Sequence, residues 1–170
     1  MKTITKISKL FILAMIVFAF NQNAKAWGPF PIPGTSWTIE FPSAPRPGAA
    51  VGPWTVYFHS AAGHPTFELR YHKLPAPGLT RPGAVNSALN TDINDYAREI
   101  NGTVMRTVAA HNWKGGRSMI ADIESPNRKM YVKVRAFIFN NQEKFMIVVH
   151  NLNVYPPVTE VDKFWNSLKQ

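Results

Sequence analysis

The sequence predicts an α+β domain, an antiparallel sheet flanked by helices, on three observations. Most apolar segments alternate at period two, as half-buried strands do, and two stretches repeat at helical spacing. The links between the later strands are a few residues long, which suits antiparallel neighbours, since parallel strands need long crossovers. The predicted element order is β-β-β-α-β-β-β-β-α.

Ser36-Trp37-Thr38-Ile39-Glu40-Phe41 alternates apolar with polar and is the first strand. Pro42, Pro45, Pro47, Gly48, Gly52 and Pro53 follow at a density that excludes both helix and sheet interior. Trp54 to Ser60 and Thr66 to Leu74 form a hairpin about Ala61-Ala62-Gly63-His64-Pro65. A turn centred near Gly63 sets His59 against Thr66 or Phe67, and His72 against Trp54. A second Pro/Gly stretch, Pro75 to Gly83, separates this hairpin from a helix. There Val85, Leu89, Ile93, Tyr96, Ala97 and Ile100 share one face, leaving Asn86, Asn90, Asp92, Asp95 and Arg98 to water. Asn101-Gly102 is its C-terminal stop. Four strands then fall at about 103–113, 117–125, 130–140 and 144–153. Lys114-Gly115-Gly116, Ser125-Pro126-Asn127-Arg128 and Asn140-Asn141-Gln142 separate them with turn chemistry. Pro156-Pro157 opens a last helix with Val158, Val161, Phe164, Trp165 and Leu168 on one face.

Residues 1–26 have the order of a secretory signal peptide. A basic start (Lys2, Lys6, Lys9) precedes the apolar run Leu10 to Phe20, and Ala24-Lys25-Ala26 supplies the small residues of a cleavage site. The run is shorter than the roughly 20 apolar residues of a membrane-spanning helix. Cleavage near Ala26 leaves an extended Pro/Gly lead-in at 27–35 and one domain at 36–170, with no transmembrane segment. The product is expected in the periplasm or the medium. The chain has no cysteine, which excludes disulfides, thiolate zinc sites, a cysteine nucleophile and a lipidated cysteine. Lys+Arg number 19 against 10 Asp+Glu; removing the four lysines of the signal (Lys2, Lys6, Lys9, Lys25) leaves 15 against 10, a balance of +5. That excess suits acidic partners, and outside the cytoplasm nucleic acid is not among them.

The layout and several short motifs resemble the Mog1/PsbP-like α/β/α sandwich domains, which include exported bacterial members. Trp37-Thr38-Ile39-Glu40-Phe41-Pro42-Ser43-Ala44-Pro45 is similar to their opening strand and F-P-x-x-P entry, and Ile100-Asn101-Gly102 to their helix end. Lys114-Gly115-Gly116-Arg117 is similar to a glycine turn of theirs. Arg135-Ala136-Phe137 with Phe145-Met146-Ile147-Val148-Val149 resembles their late strands, and Phe164-Trp165-Asn166-Ser167-Leu168 their terminal helix. Leu168 stands where those domains close on an aromatic residue. The resemblance spans roughly residues 36–169. It implies non-enzymatic binding, although a fold does not fix a function.

Catalytic chemistry finds little purchase. No serine sits in a Gly-x-Ser-x-Gly elbow, and no histidine pair has the spacing of two ligands on one helical face. His59, His64 and His72 scatter along the hairpin, and Asp122 with Glu124 share one strand face, as a solvated edge or an acid pair does. No cofactor or metal is expected. The most suggestive constellation is the strand Met130 to Phe139. Val132, Val134, Ala136 and Ile138 form one face, and Tyr131, Lys133, Arg135, Phe137 and Phe139 the other. Arg128 and Lys129 in the preceding turn extend its charge. Basic and aromatic side chains on one surface pair with an anion and stack on a ligand; equally, Phe137 and Phe139 are core while Lys133 and Arg135 reach past them to water. The function expected is an exported binding or accessory module, not an enzyme, with an envelope protein or an anionic envelope component as partner. A small-ligand carrier and a hydrolase of an envelope substrate are the alternatives.

Overall fold

A computed structural model describes residues 27–81 and 83–170; the signal peptide expected at 1–26 lies outside them. The domain is an α+β fold built on a seven-stranded antiparallel sheet. In chain order the strands are β1 (Gly28–Pro31), β2 (Thr38–Phe41), β3 (Arg46–Pro47), β4 (Thr55–His59), β5 (Thr66–Lys73), β6 (Thr103–Trp113), β7 (Gly116–Ser125), β8 (Met130–Phe139) and β9 (Glu143–Leu152). Helix α1 (Ala84–Glu99) stands between β5 and β6, and helix α2 (Val158–Asn166) follows β9. The large sheet runs β3-β4-β5-β9-β8-β7-β6, while β1 and β2 pair separately. The β6 to β9 meander closes on the earlier hairpin through β5 and β9, with Leu69 opposite Ile147.

Alternation along the strands divides the core into two layers. Toward α1, Val132, Val134, Ala136 and Ile138 of β8 join Ile123, Met146 and Val148 beneath Leu89, Ile93, Tyr96 and Ala97. Toward α2, Phe137, Phe145, Ile147, Val149, Leu69 and Phe67 meet Val161, Phe164, Trp165 and Leu168, along with Trp37, Ile39 and Phe41 of β2. The two faces of β8 fall as the alternation predicts, and Phe137 is fully buried. Gly116, at the start of β7, allows this: a Cβ there would overlap the Ile138 carbonyl and the Phe137 ring. Helix α1 stops where Asn101 turns left-handed (φ 53) and the Gly102 amide donates to Ala97 O at 2.7 Å.

Three features differ from the expectations. The stretch 27–35 belongs to the domain, because β1 pairs with β2 in the register Gly28 to Phe41. Phe30 packs on Phe41 and Tyr57, and Ile32 is buried, while Pro29 and Pro31 fall on an edge strand, where a missing N–H costs little. Asp92, expected in water, is buried and accepts a 2.7 Å hydrogen bond from Lys144 Nζ of β9. Val158, expected on the buried stripe of the last helix, is 64 % exposed. Helix α2 and the β1–β2 pair cover β5, β9 and part of β8, and Val158 overhangs β6 and β7, which they leave open.

Candidate functional site

The open half of the sheet face is where the basic-aromatic strand emerges. Val108 and Arg106 of β6, Ile120 and Asp122 of β7, and Lys133 of β8 stand side by side across the ladders. With Val158, Val161, Asp162 and Trp165 of α2 they enclose a groove of about 160 Å³. Its floor is largely apolar, and Val108 and Val158 are exposed at its rim. Arg106 is exposed at the same rim and forms no ion pair among the described residues.

Arg135 lies behind the groove wall. It pairs across the ladder with Ile120, which lines the groove, as does Trp165. The Trp113 ring centre lies 4.2 Å from the guanidinium carbon and the Trp165 centre 4.8 Å, so two indoles hold the group. Only 9 % of the residue is exposed, and Nε and Nη1 are buried with no hydrogen-bond partner among the described residues. Burial lowers its pKa to about 10, against a weaker opposing pull from Asp162. Trp165 is itself fixed, donating its Nε1–H to Ile147 O at 3.2 Å.

The structure brings only part of the expected constellation together. Lys133 lines the groove but is neutralised by Asp122 at 2.8 Å and lies 5.1 Å from the centre of the Tyr155 ring. Tyr131 is half-buried against Tyr155, 5.0 Å between ring centres, beyond the groove lining. Arg128 and Lys129 are exposed in the turn after β7 and do not line the groove; Arg128 instead acts electrostatically on the Tyr96 hydroxyl of α1. Arg135, expected to reach past the aromatics to water, is buried between them. Asp122 and Glu124 share a face without pairing as acids: Asp122 holds Lys133, and Glu124 accepts 2.8 Å from the Tyr155 hydroxyl. A Lys133→Glu, Arg135→Glu double change therefore disrupts packing as well as charge, because it buries a carboxylate between two indoles.

The residues absent from the sequence reading are Arg106, Asp162 and Tyr155, while Trp113, a strand-end residue before Gly115-Gly116 that the sequence suggests is exposed, is half-buried against Arg135. Strand alternation places Arg106 and Val108 on one face, but only the sheet order brings that face beside β8. A second cleft, of about 710 Å³, lies between Trp27, Ser43, His59, His64 and α2. Within it Ser43 Oγ and His59 Nδ1 are 3.0 Å apart, and Glu160 stands on the same wall. Among the described residues no three His, Asp or Glu side chains are grouped to hold a metal ion, and no helix is long and apolar enough to cross a membrane. No family model matches the chain, and no curated protein sequence matches it either.

Proposed function

We propose that the protein is an exported binding or accessory module of the cell envelope, without catalytic activity, that holds an anionic envelope component or an acidic segment of an envelope protein on the open half of its sheet. The observation that carries this reading is Arg135, a buried cation whose Nε and Nη1 lack acceptors beside an apolar groove. Desolvating an arginine is costly unless acceptors answer it, and a cation perturbed by burial beside a groove is a candidate functional group. The free Arg106 and the +5 balance of residues 27–170 favour the same sign of partner. The signal-peptide order of residues 1–26 supports export to the periplasm or medium. Kinship with the Mog1/PsbP-like domains belongs to the same proposal: a helix on one face and a helix with a strand pair on the other suits an α/β/α sandwich.

A photo-crosslinking residue at Val108, on the groove rim, tests it in the producing cells against one at Asn94, exposed on α1. Adducts are expected from Val108 alone; equal adducts from both, or none from either, contradict the reading. A hydrolase is the second reading, favoured by the Ser43–His59 contact in the larger cleft, since an adjacent imidazole activates a serine hydroxyl. A fluorophosphonate adduct on Ser43 would support it, and an unlabelled Ser43 leaves the binding module.

A further inference from the structure

Exposed aliphatic side chains scattered singly need no explanation, whereas clustered ones mark a contact surface. Among the described residues the exposed large apolar side chains are Met105 and Val108 of β6 and, on the run from β9 into α2, Leu152, Val154 and Val158. That run leaves the sheet beside the β7–β8 turn: Leu152 stands opposite Met130, and the Asn153 amide donates to Lys129 O at 2.7 Å. Lys129 (φ 48) and Asn153 (φ 66) both turn left-handed, so two turns lie side by side at one end of the sheet. One carries Leu152 and Val154, each more than half exposed, and the other carries Arg128 and Lys129, both exposed. Neither cation forms an ion pair among the described residues, and Glu124, at the same end of β7, already accepts from the Tyr155 hydroxyl. Tyr131 and Tyr155 are half-buried against each other, so the tip presents aliphatic groups and cations without an exposed ring. Protein interfaces are rich in aromatic residues and poor in lysine. Aliphatic side chains beside lysine and arginine suit an anionic bilayer instead, where the apolar groups enter the acyl boundary and the cations meet lipid phosphates.

We infer that this tip docks the exported protein on an anionic lipid surface, with Leu152 and Val154 entering the headgroup region and Arg128 and Lys129 pairing with lipid phosphates. Arg106, which lines the groove with Val158 and has no ion pair among the described residues, adds charge of the same sign. The inference shares export with the reading above and is independent of the groove.

The experiment sediments the exported protein with vesicles of phosphatidylcholine containing about one-third phosphatidylglycerol, and with vesicles of phosphatidylcholine alone. Binding to the anionic vesicles is expected, and at least about tenfold weaker binding to the neutral ones. Arg128→Gln with Lys129→Asn, the asparagine tolerating the left-handed turn, should weaken binding about thirtyfold. Leu152→Ser with Val154→Ser should weaken it at least about tenfold. All four positions are exposed, so the melting temperature should hold in both double variants. Because the chain lacks cysteine, an environment-sensitive dye on Leu152→Cys or on Ser87→Cys, exposed on α1, reports from one site at a time. The first should shift to the blue on anionic vesicles and the second should not. Equal binding to neutral vesicles, binding to neither, undiminished binding by either double variant, or equal shifts from both dyes overturns the inference. A protein cross-linked at Val154 while the vesicles fail also overturns it and gives the tip to a protein partner. Adducts at Val108 without vesicle binding overturn this inference alone, and vesicle binding without those adducts overturns the groove reading alone.

Discussion

Two arginines are buried in this domain to nearly the same depth, on opposite faces of the sheet, and they are treated differently. Arg70 of β5 is 5 % exposed and faces α1; Arg135 of β8 is 9 % exposed and faces α2. Arg70 donates through Nη1 and Nη2 to the Glu99 carboxylate at 2.6 and 2.8 Å, through Nε to Glu68, and lies over the Tyr96 ring. Burial would lower its pKa, but the two carboxylates more than reverse this and hold it above the ordinary range. Arg135 has indoles in place of carboxylates, and burial lowers it. Equal burial thus yields a structural pin where every nitrogen is answered, and a cation with two unanswered nitrogens where indoles stand in place of carboxylates.

The largest effect that sharpens this contrast is on stability. Arg70→Met strands the buried Glu68 carboxylate and should cost about 3–5 kcal/mol in urea denaturation. Arg135→Met removes unanswered N–H groups along with its indole contacts, two effects of opposite sign, and should change stability by no more than about 1 kcal/mol. Equal losses from the two changes would erase the comparison. Next comes a pH effect on the Arg70 face, where burial pushes His150 of β9 down to about 4 from 6.5. The unfolded chain takes up that proton first, so stability present above about pH 6.5 is lost as pH falls toward 4, by about 2–3 kcal/mol. Glu68 on the same face has the opposite sign: burial raises its pKa above 4.5 despite Arg70, so its contribution is greatest in acid and declines as pH rises past 4.5. His150→Gln should remove the acid loss and leave the Glu68 trend. A chemical-denaturation series between pH 4 and 7 reads both. The smallest effect is at the clamp: Trp113→Leu should cost about 0.5–1 kcal/mol and leave Arg70 and its partners undisturbed.

Much of this architecture was legible in the residues. The 16-residue helix α1, the four late strands and both faces of β8 follow from local periodicity, and His59 does lie opposite Phe67. The misplacements share a cause, which is contact between residues far apart in sequence. Asp92 is buried because Lys144, 52 residues on, reaches it from β9. The groove depends on β6 being the sheet's edge and on α2 stopping short of it, neither of which one strand's pattern contains. Arg128 and Lys129 adjoin the basic strand in sequence, but their turn carries them out of the groove lining. Conversely, Trp113 and Trp165 are 52 positions apart and meet only around Arg135. Alternation identified the strand, and tertiary packing set which of its cations is buried and which is paired.

The most direct test of the binding account is the native mass of the exported protein recovered gently from its producing cells, with Arg135→Met prepared alongside. The account predicts additional bound mass on the wild-type protein, absent from the variant at the same fold stability. A bare wild-type protein, or the same added mass on both, would contradict it.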